Sequence, residues 1–128
     1  MPQHRNTVSA PVRLRLLIVL SALTLVLWGC TADTLEPLPL DITATADRLT
    51  AARADSINFE FRAQGGRLLT LTVEWGDGTT YSAPLNGART AVARQRHAYQ
   101  QSGVYQVSAE LDDAAAGTKT ATVSVTIQ

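Results

Sequence analysis

Cysteine is almost missing from this chain: of 128 residues, only Cys30 carries a thiol. A disulfide within one molecule needs two, so no internal covalent staple is available, and a zinc site, which needs three or four His, Cys or carboxylate ligands, is not expected. Histidine is nearly as scarce, limited to His4 and His97. There is no H-E-x-x-H run, cysteine pair, glycine-rich phosphate loop or G-x-S-x-G, so an enzyme is not expected. Aromatic residues make up 5% of the chain, which obliges any core to be mainly aliphatic. Charge of one sign is also lacking overall. The formal balance is zero, and 45% hydrophobic with 17% charged residues describes a globular protein with room for one ordinary domain.

What is present is unevenly spread. Residues 1–15 contain Arg5, Arg13 and Arg15 and no acid, and Leu16 to Trp28 form 13 residues without a charge. As a helix this run rises roughly 20 Å, short of a bilayer core of about 30 Å. A positive segment, a brief apolar run and then small residues is the layout of a bacterial secretory signal, with a signal helix. The tetrad Leu27-Trp28-Gly29-Cys30 resembles the bacterial lipobox. That resemblance implies diacylglyceryl transfer to the Cys30 thiol, cleavage after Gly29 and acylation of the new amino terminus. Two or three acyl chains anchor a protein stably where one does not. The competing readings are an ordinary signal peptide and a short membrane anchor with a buried thiol. The expected organisation is a signal peptide over 1–29, lipidated Cys30 and a polar tether over 30–37, and a domain over 38–128. Thr31, not Asp, follows the cysteine. A cell-envelope location is expected, at the outer membrane where two are present.

Residues 30–128 hold eight cations against eleven carboxylates, a net charge of −3. A mildly acidic domain outside the cytoplasm lacks the basic face that nucleic acid requires, so nucleic acid is not an expected partner. Period-two alternation dominates this part. Leu38, Leu40, Ile42 and Ala44 share one face of a first strand; Ile57, Phe59 and Phe61 do so in a second. Leu69, Leu71, Val73 and Trp75 mark a third, Tyr105, Val107, Ala109 and Leu111 a later one, and Ala121, Val123, Val125 and Ile127 the last. Weaker strands are expected over 79–82 and 90–96, and residues 46–54 allow a helical turn. Turn signals lie at Gly65-Gly66, Asp77-Gly78, Asn86-Gly87, Gly103 and between Asp112 and Gly117. About seven short strands, each with one apolar face, predict an all-β, immunoglobulin-like sandwich.

Three ordered motifs then carry a more specific likeness. "VEWGDGTT" from Val73, "HAYQQSGVYQVSAEL" from His97 and the closing "TATVSVTI" resemble the PKD (polycystic kidney disease) domain over roughly residues 38–128. Gly76, Asp77 and Gly78 match its G-D-G core, His97 and Tyr99 its H-x-Y, and Gly103, Tyr105 and Val107 its last element. Val73 stands where many members have tryptophan, with Trp75 at the adjacent inward position. These residues read as mainly structural. Gly76 and Gly78 permit a tight turn at positive φ, and the Asp77 carboxylate accepts backbone N–H bonds within it. Trp75 faces the core, His97 hydrogen-bonds near the turn, and Tyr99 and Tyr105 bury rings whose hydroxyls find partners.

Two features are left for binding. Arg94 and Arg96 share one face of a strand with His97 on the other, which suits a charged edge that discourages aggregation or a contact surface for an acidic partner or glycan. Asp112 and Asp113 adjoin at a strand end as loop solvation or, at most, part of a calcium site; no calcium-ligand spacing is present and no cofactor is expected. The resemblance implies a non-enzymatic module acting by protein–protein contact at the envelope, with a polysaccharide- or calcium-binding accessory role as the alternative. Only Tyr81 looks free to be an exposed aromatic, which disfavours sugar binding.

Overall fold

Alternating branched and polar side chains favour strands over helices, because the branched groups pack on a pleated surface and lose rotamer freedom in a helix. The computed structural model describes residues 38–128, and among them no helix forms. The signal helix and Cys30 fall outside the described residues. Six strands follow in order: β1 (Asp41–Ala46), β2 (Thr50–Ala51), β3 (Ser56–Glu74), β4 (Thr80–Ala98), β5 (Gly103–Asp113) and β6 (Gly117–Ile127). They lie within one compact unit, Glu36–Gln128. Residues 46–54 hold the short β2, not a helical turn.

The two 19-residue strands give the sandwich its form. The first part of β3 pairs with β1 on one side and with Thr90–Ala98 of β4 on the other. The later part pairs with Thr80–Ala88 of β4 and with β5, which continues to β6 and, in parallel, to β2. Each long strand therefore serves both layers, and the expected seven short strands are replaced by six, two of them long. The bends occur where turns were expected. Gly65-Gly66 and Asn86-Gly87 do not reverse the chain; β3 and β4 run through them with compensating register shifts. Asn86 and Gly87 both take positive φ, 52° and 79°, so the extra residues of β4 are absorbed as a bulge. The segments 79–82 and 90–96 consequently belong to one strand.

A second bulge changes which leucine enters the core. Between Leu68 and Thr70, β3 has one residue more than β5 opposite it. Leu68 and Leu71 are both buried, while Leu69 is exposed, contrary to simple alternation. The remaining core follows the period-two pattern: Ile57, Phe59 and Phe61 from the first layer meet Val73, Val107, Leu111 and Val125 from the second. Burying a side chain of this size contributes roughly 1.5–3 kcal/mol. Lys119 of β6 also bonds Asp41 of β1 at 2.8 Å, tying the layers at their rim.

Candidate functional site

The turn from β3 to β4 organises the residues of the family-like motifs. Gly76 leaves β3 at φ 84°, and a Cβ there would stand 2.7 Å from the backbone oxygen of Gln106. Only glycine fits both the backbone conformation and the neighbouring strand. The Asp77 carboxylate closes the turn. One oxygen accepts from the Thr79 amide at 3.0 Å and the Thr79 hydroxyl at 2.6 Å; the other lies 2.7 Å from His97 Nε2. Partial burial opposes ionisation of Asp77, but Thr79 and His97 outweigh it and hold the carboxyl below its ordinary value.

From Asp77 a column of rings runs into the core. His97 stacks on Trp75 with centroids 4.5 Å apart and planes 4° from parallel. Tyr99 meets His97 edge-on at 4.7 Å and stacks with Tyr105 at 4.2 Å. The fully buried Tyr99 hydroxyl donates to the Trp75 carbonyl at 2.9 Å, while Tyr105 donates to the Gln101 carbonyl at 3.0 Å nearer the surface. Burial above all, with the charges of Asp77 and Tyr105, pushes the Tyr99 phenol well above its usual range. Gly103 opens β5 beneath Tyr105, and Val107 is buried two residues beyond it. Every donor and acceptor named here is occupied by a neighbour within the domain. The cluster fastens β3, β4 and β5 together and presents no free nucleophile.

Asp113 also proves structural. It is buried, not solvated in a loop, while Asp112 beside it turns the other way. Its oxygens accept from the amides of Arg67 at 2.6 Å, Ala115 at 2.8 Å and Ala116 at 2.9 Å. Those bonds hold its carboxyl below the ordinary range. Gly65 makes the approach feasible, since a Cβ there would lie 2.7 Å from Asp113 Oδ2. Three of the roughly four lone-pair sites of this carboxylate are thus taken by backbone donors. Among the described residues no group of three or more His, Cys, Asp or Glu could hold a metal ion.

The outer face of the first layer is the remaining candidate. Register places Arg94 opposite Glu60 and Arg96 opposite Asn58. Glu60 bonds Arg94 at 2.7 Å and Arg62 at 2.6 Å, so two guanidinium groups share one carboxylate. Its carboxyl lies below the ordinary value chiefly through the Arg94 bond. Asp47 is engaged by the Asn58 side chain at 2.7 Å, and Arg96 is exposed with no acidic partner among the described residues. Thr45, Asn58, Arg94 and Arg96 border an open depression of about 560 Å³. No local pattern points to Glu60, because its partnership with Arg94 depends on a pairing between strands 34 residues apart. Tyr81 is not an exposed platform: it is half-buried and packs against the core.

Comparison with known proteins agrees with this architecture. No protein-family model matches the chain, and no curated protein matches it in sequence. Solved structures do. The PKD domain of an M14-like peptidase from Thermoplasmatales archaeon SCGC AB-540-F20 superposes with a TM-score of 0.57 at 23% identity, over 67% of this chain and 91% of that one. The PKD domain of the human VPS10 domain-containing receptor SorCS2 gives 0.52 at 20%, covering 72% and 74%. The CARDB domain of the PF1109 protein from Pyrococcus furiosus, solved in complex with di-metal ions, gives 0.55 at 15%, covering 71% and 93%. The described residues thus have the immunoglobulin-like sandwich fold of PKD domains.

Proposed function

We infer that this chain is a lipid-anchored, non-enzymatic module of the cell envelope that works by protein–protein contact. Domains of this fold are typically interaction modules, and the motif residues here are consumed in holding strands together. The observation that carries the reading is the outer face of the first layer, where Arg96 is exposed and has no acidic partner among the described residues, beside an Arg94 that shares Glu60 with Arg62. A guanidinium offers a planar fork of donors suited to a carboxylate, so the partner is an acidic protein surface. Anchoring rests on the lipobox-like tetrad ending at Cys30. A polysaccharide-binding role has less support, because the described aromatic rings are packed and none forms an exposed row on which sugar rings could stack.

In-cell crosslinking with mass spectrometry of the captured proteins tests the contact. Arg94→Ala with Arg96→Ala should remove specific crosslinks while the domain remains folded; an unchanged crosslink pattern would overturn the role of this face. Mass spectrometry of the mature protein should show an acylated amino terminus at Cys30, and a mature mass without acyl addition would overturn the anchoring.

A further inference from the structure

The two outer faces of the sandwich carry opposite charge. On the first layer, Arg62, Arg94 and Arg96 share the face with Glu60, and with Asp47 and Asp41, whose charges are met by Arg48 and Lys119. Five cations against three carboxylates leave two positive charges in excess. On the second layer, register turns Glu74, Glu110 and Asp112 outward across β3 and β5, and no cation pairs with them among the described residues. The rest of this face is short and hydroxylated. Ser108 lies opposite Glu74, Thr72 and Thr120 flank Glu110, and Thr118 flanks Asp112. One face is therefore a low floor with three carboxylates, and the other projects long guanidinium side chains. They match in charge and in relief, and nothing among the described residues fills either.

We propose that this chain associates with further copies of itself, the arginine face of one domain lying on the carboxylate face of the next. The inference rests on the reading of Arg94 and Arg96 as a contact surface, and it names their partner. Both halves of the contact occur on one chain, so no second protein is needed to supply the acidic surface. The contact is head-to-tail: each copy keeps one unfilled face of each kind, and such contacts build open rows unless the rotation closes a ring. Strand spacing and rise give the carboxylate face a footprint of roughly 15 Å by 17 Å. That is small beside the ~800 Å² per partner of a standard interface, and exposed charges are screened by salt. Association is accordingly weak between free domains and depends on the crowding that a shared membrane provides.

A photo-crosslinking amino acid at Val92, which is 52% exposed on the arginine face, tests this in membranes bearing the full chain. The expected product is a covalent dimer whose crosslinked peptide comes from β3, β5 or β6 of the second copy. Arg94→Glu with Arg96→Glu should lower its yield more than about tenfold, since like charges then face each other. Coexpressing that probe-bearing variant with a Glu74→Lys, Glu110→Lys chain should restore it. All four positions are exposed. Reversal at Arg94 sets a carboxylate opposite Glu60, a surface cost shared by probe and control, and the restoration excludes misfolding as the cause of loss. Absence of a dimer, a dimer crosslinked elsewhere, or no restoration by the swapped pair would overturn the proposal. If position 92 captures only a different protein, and charge reversal abolishes that capture, self-association fails while the contact-surface reading stands. If charge reversal changes no crosslink of any kind, both fail.

Discussion

Replacing Tyr99 with phenylalanine removes one oxygen from the core and keeps the ring. In the native domain Tyr99 is fully buried and its hydroxyl donates to the Trp75 carbonyl at 2.9 Å. The variant leaves that carbonyl without its donor, and an acceptor stranded in a closed core costs about 1–3 kcal/mol. The stacking of the ring on Tyr105 and its edge contact with His97 survive, so loss of packing adds little. For a domain of this size 1 kcal/mol moves the melting temperature by roughly 4–8 °C. A fall of about 10 °C is therefore expected. Tyr105→Phe provides the control: its hydroxyl donates to the Gln101 carbonyl at an exposed site, where water replaces it, and a change within about 0.5 kcal/mol follows. Thermal melting followed by circular dichroism, with the full chain under one buffer condition, measures both. Equal shifts in the two variants would refute the argument that the Tyr99–Trp75 bond fastens the β3–β4 turn to the core.

Three further outcomes follow from the same geometry. Gly76→Ala and Gly78→Ala both place a side chain at positive φ, a cost of roughly 1–2 kcal/mol, but only at Gly76 does the new Cβ strike the backbone, at Gln106. Urea denaturation should show Gly76→Ala to be the worse by about 1–3 kcal/mol, and equal midpoints would contradict the close approach. Asp77 and Asp113 are held below the ordinary carboxyl range, so on acidification the unfolded chain takes up protons before the folded one. Stability should be full above about pH 5 and decline below about pH 4; Asp113→Asn should flatten that acid limb in equilibrium melts. The Tyr99 phenol is raised, so the unfolded chain loses this proton first as pH climbs past about 10. The resulting alkaline decline in stability should be weaker in Tyr99→Phe.

Alternation made most of the core legible in advance, and for a physical reason. On β3, β5 and β6 one face meets the opposite layer and the other meets water, so polarity repeats with the pleat. Ile57, Phe59, Phe61, Val107, Leu111 and Ile127 are buried on that principle. The rule fails at Leu69, because a bulge inserts one residue and reverses parity. It fails at Gly65-Gly66 and Asn86-Gly87 for a related reason. The same residues that make a tight turn also make a bulge, and only the partner strand determines which forms. Asp113 illustrates a third limit. Next to Asp112 it looks like a polar loop, and its burial depends on amides of Arg67, Ala115 and Ala116 brought round by β3 and the β5–β6 turn. The Glu60–Arg94 and Glu60–Arg62 pairs were likewise invisible without the register.

A sandwich without a disulfide must hold its layers by contact alone, and the aromatic column shows how this one does so. Trp75, His97, Tyr99 and Tyr105 come from the end of β3, the end of β4 and the strand that follows, close to the single turn at Asp77. Each ring pair contributes about 0.5–1.5 kcal/mol beyond burial. Three consecutive pairs, closed by the Tyr99–Trp75 bond, therefore approach the 2–4 kcal/mol typical of a disulfide. The recognisable sequence motif is then a device for stability, and this constrains where function lies. Residues locked by mutual packing and hydrogen bonding cannot also vary to suit a partner. The outer faces can, because threonine, glutamate and arginine there meet only water and one another. Arg94 and Arg96 on one face, and Glu74 and Glu110 on the other, are thus positions at which two domains of this fold can differ in surface charge while folding alike.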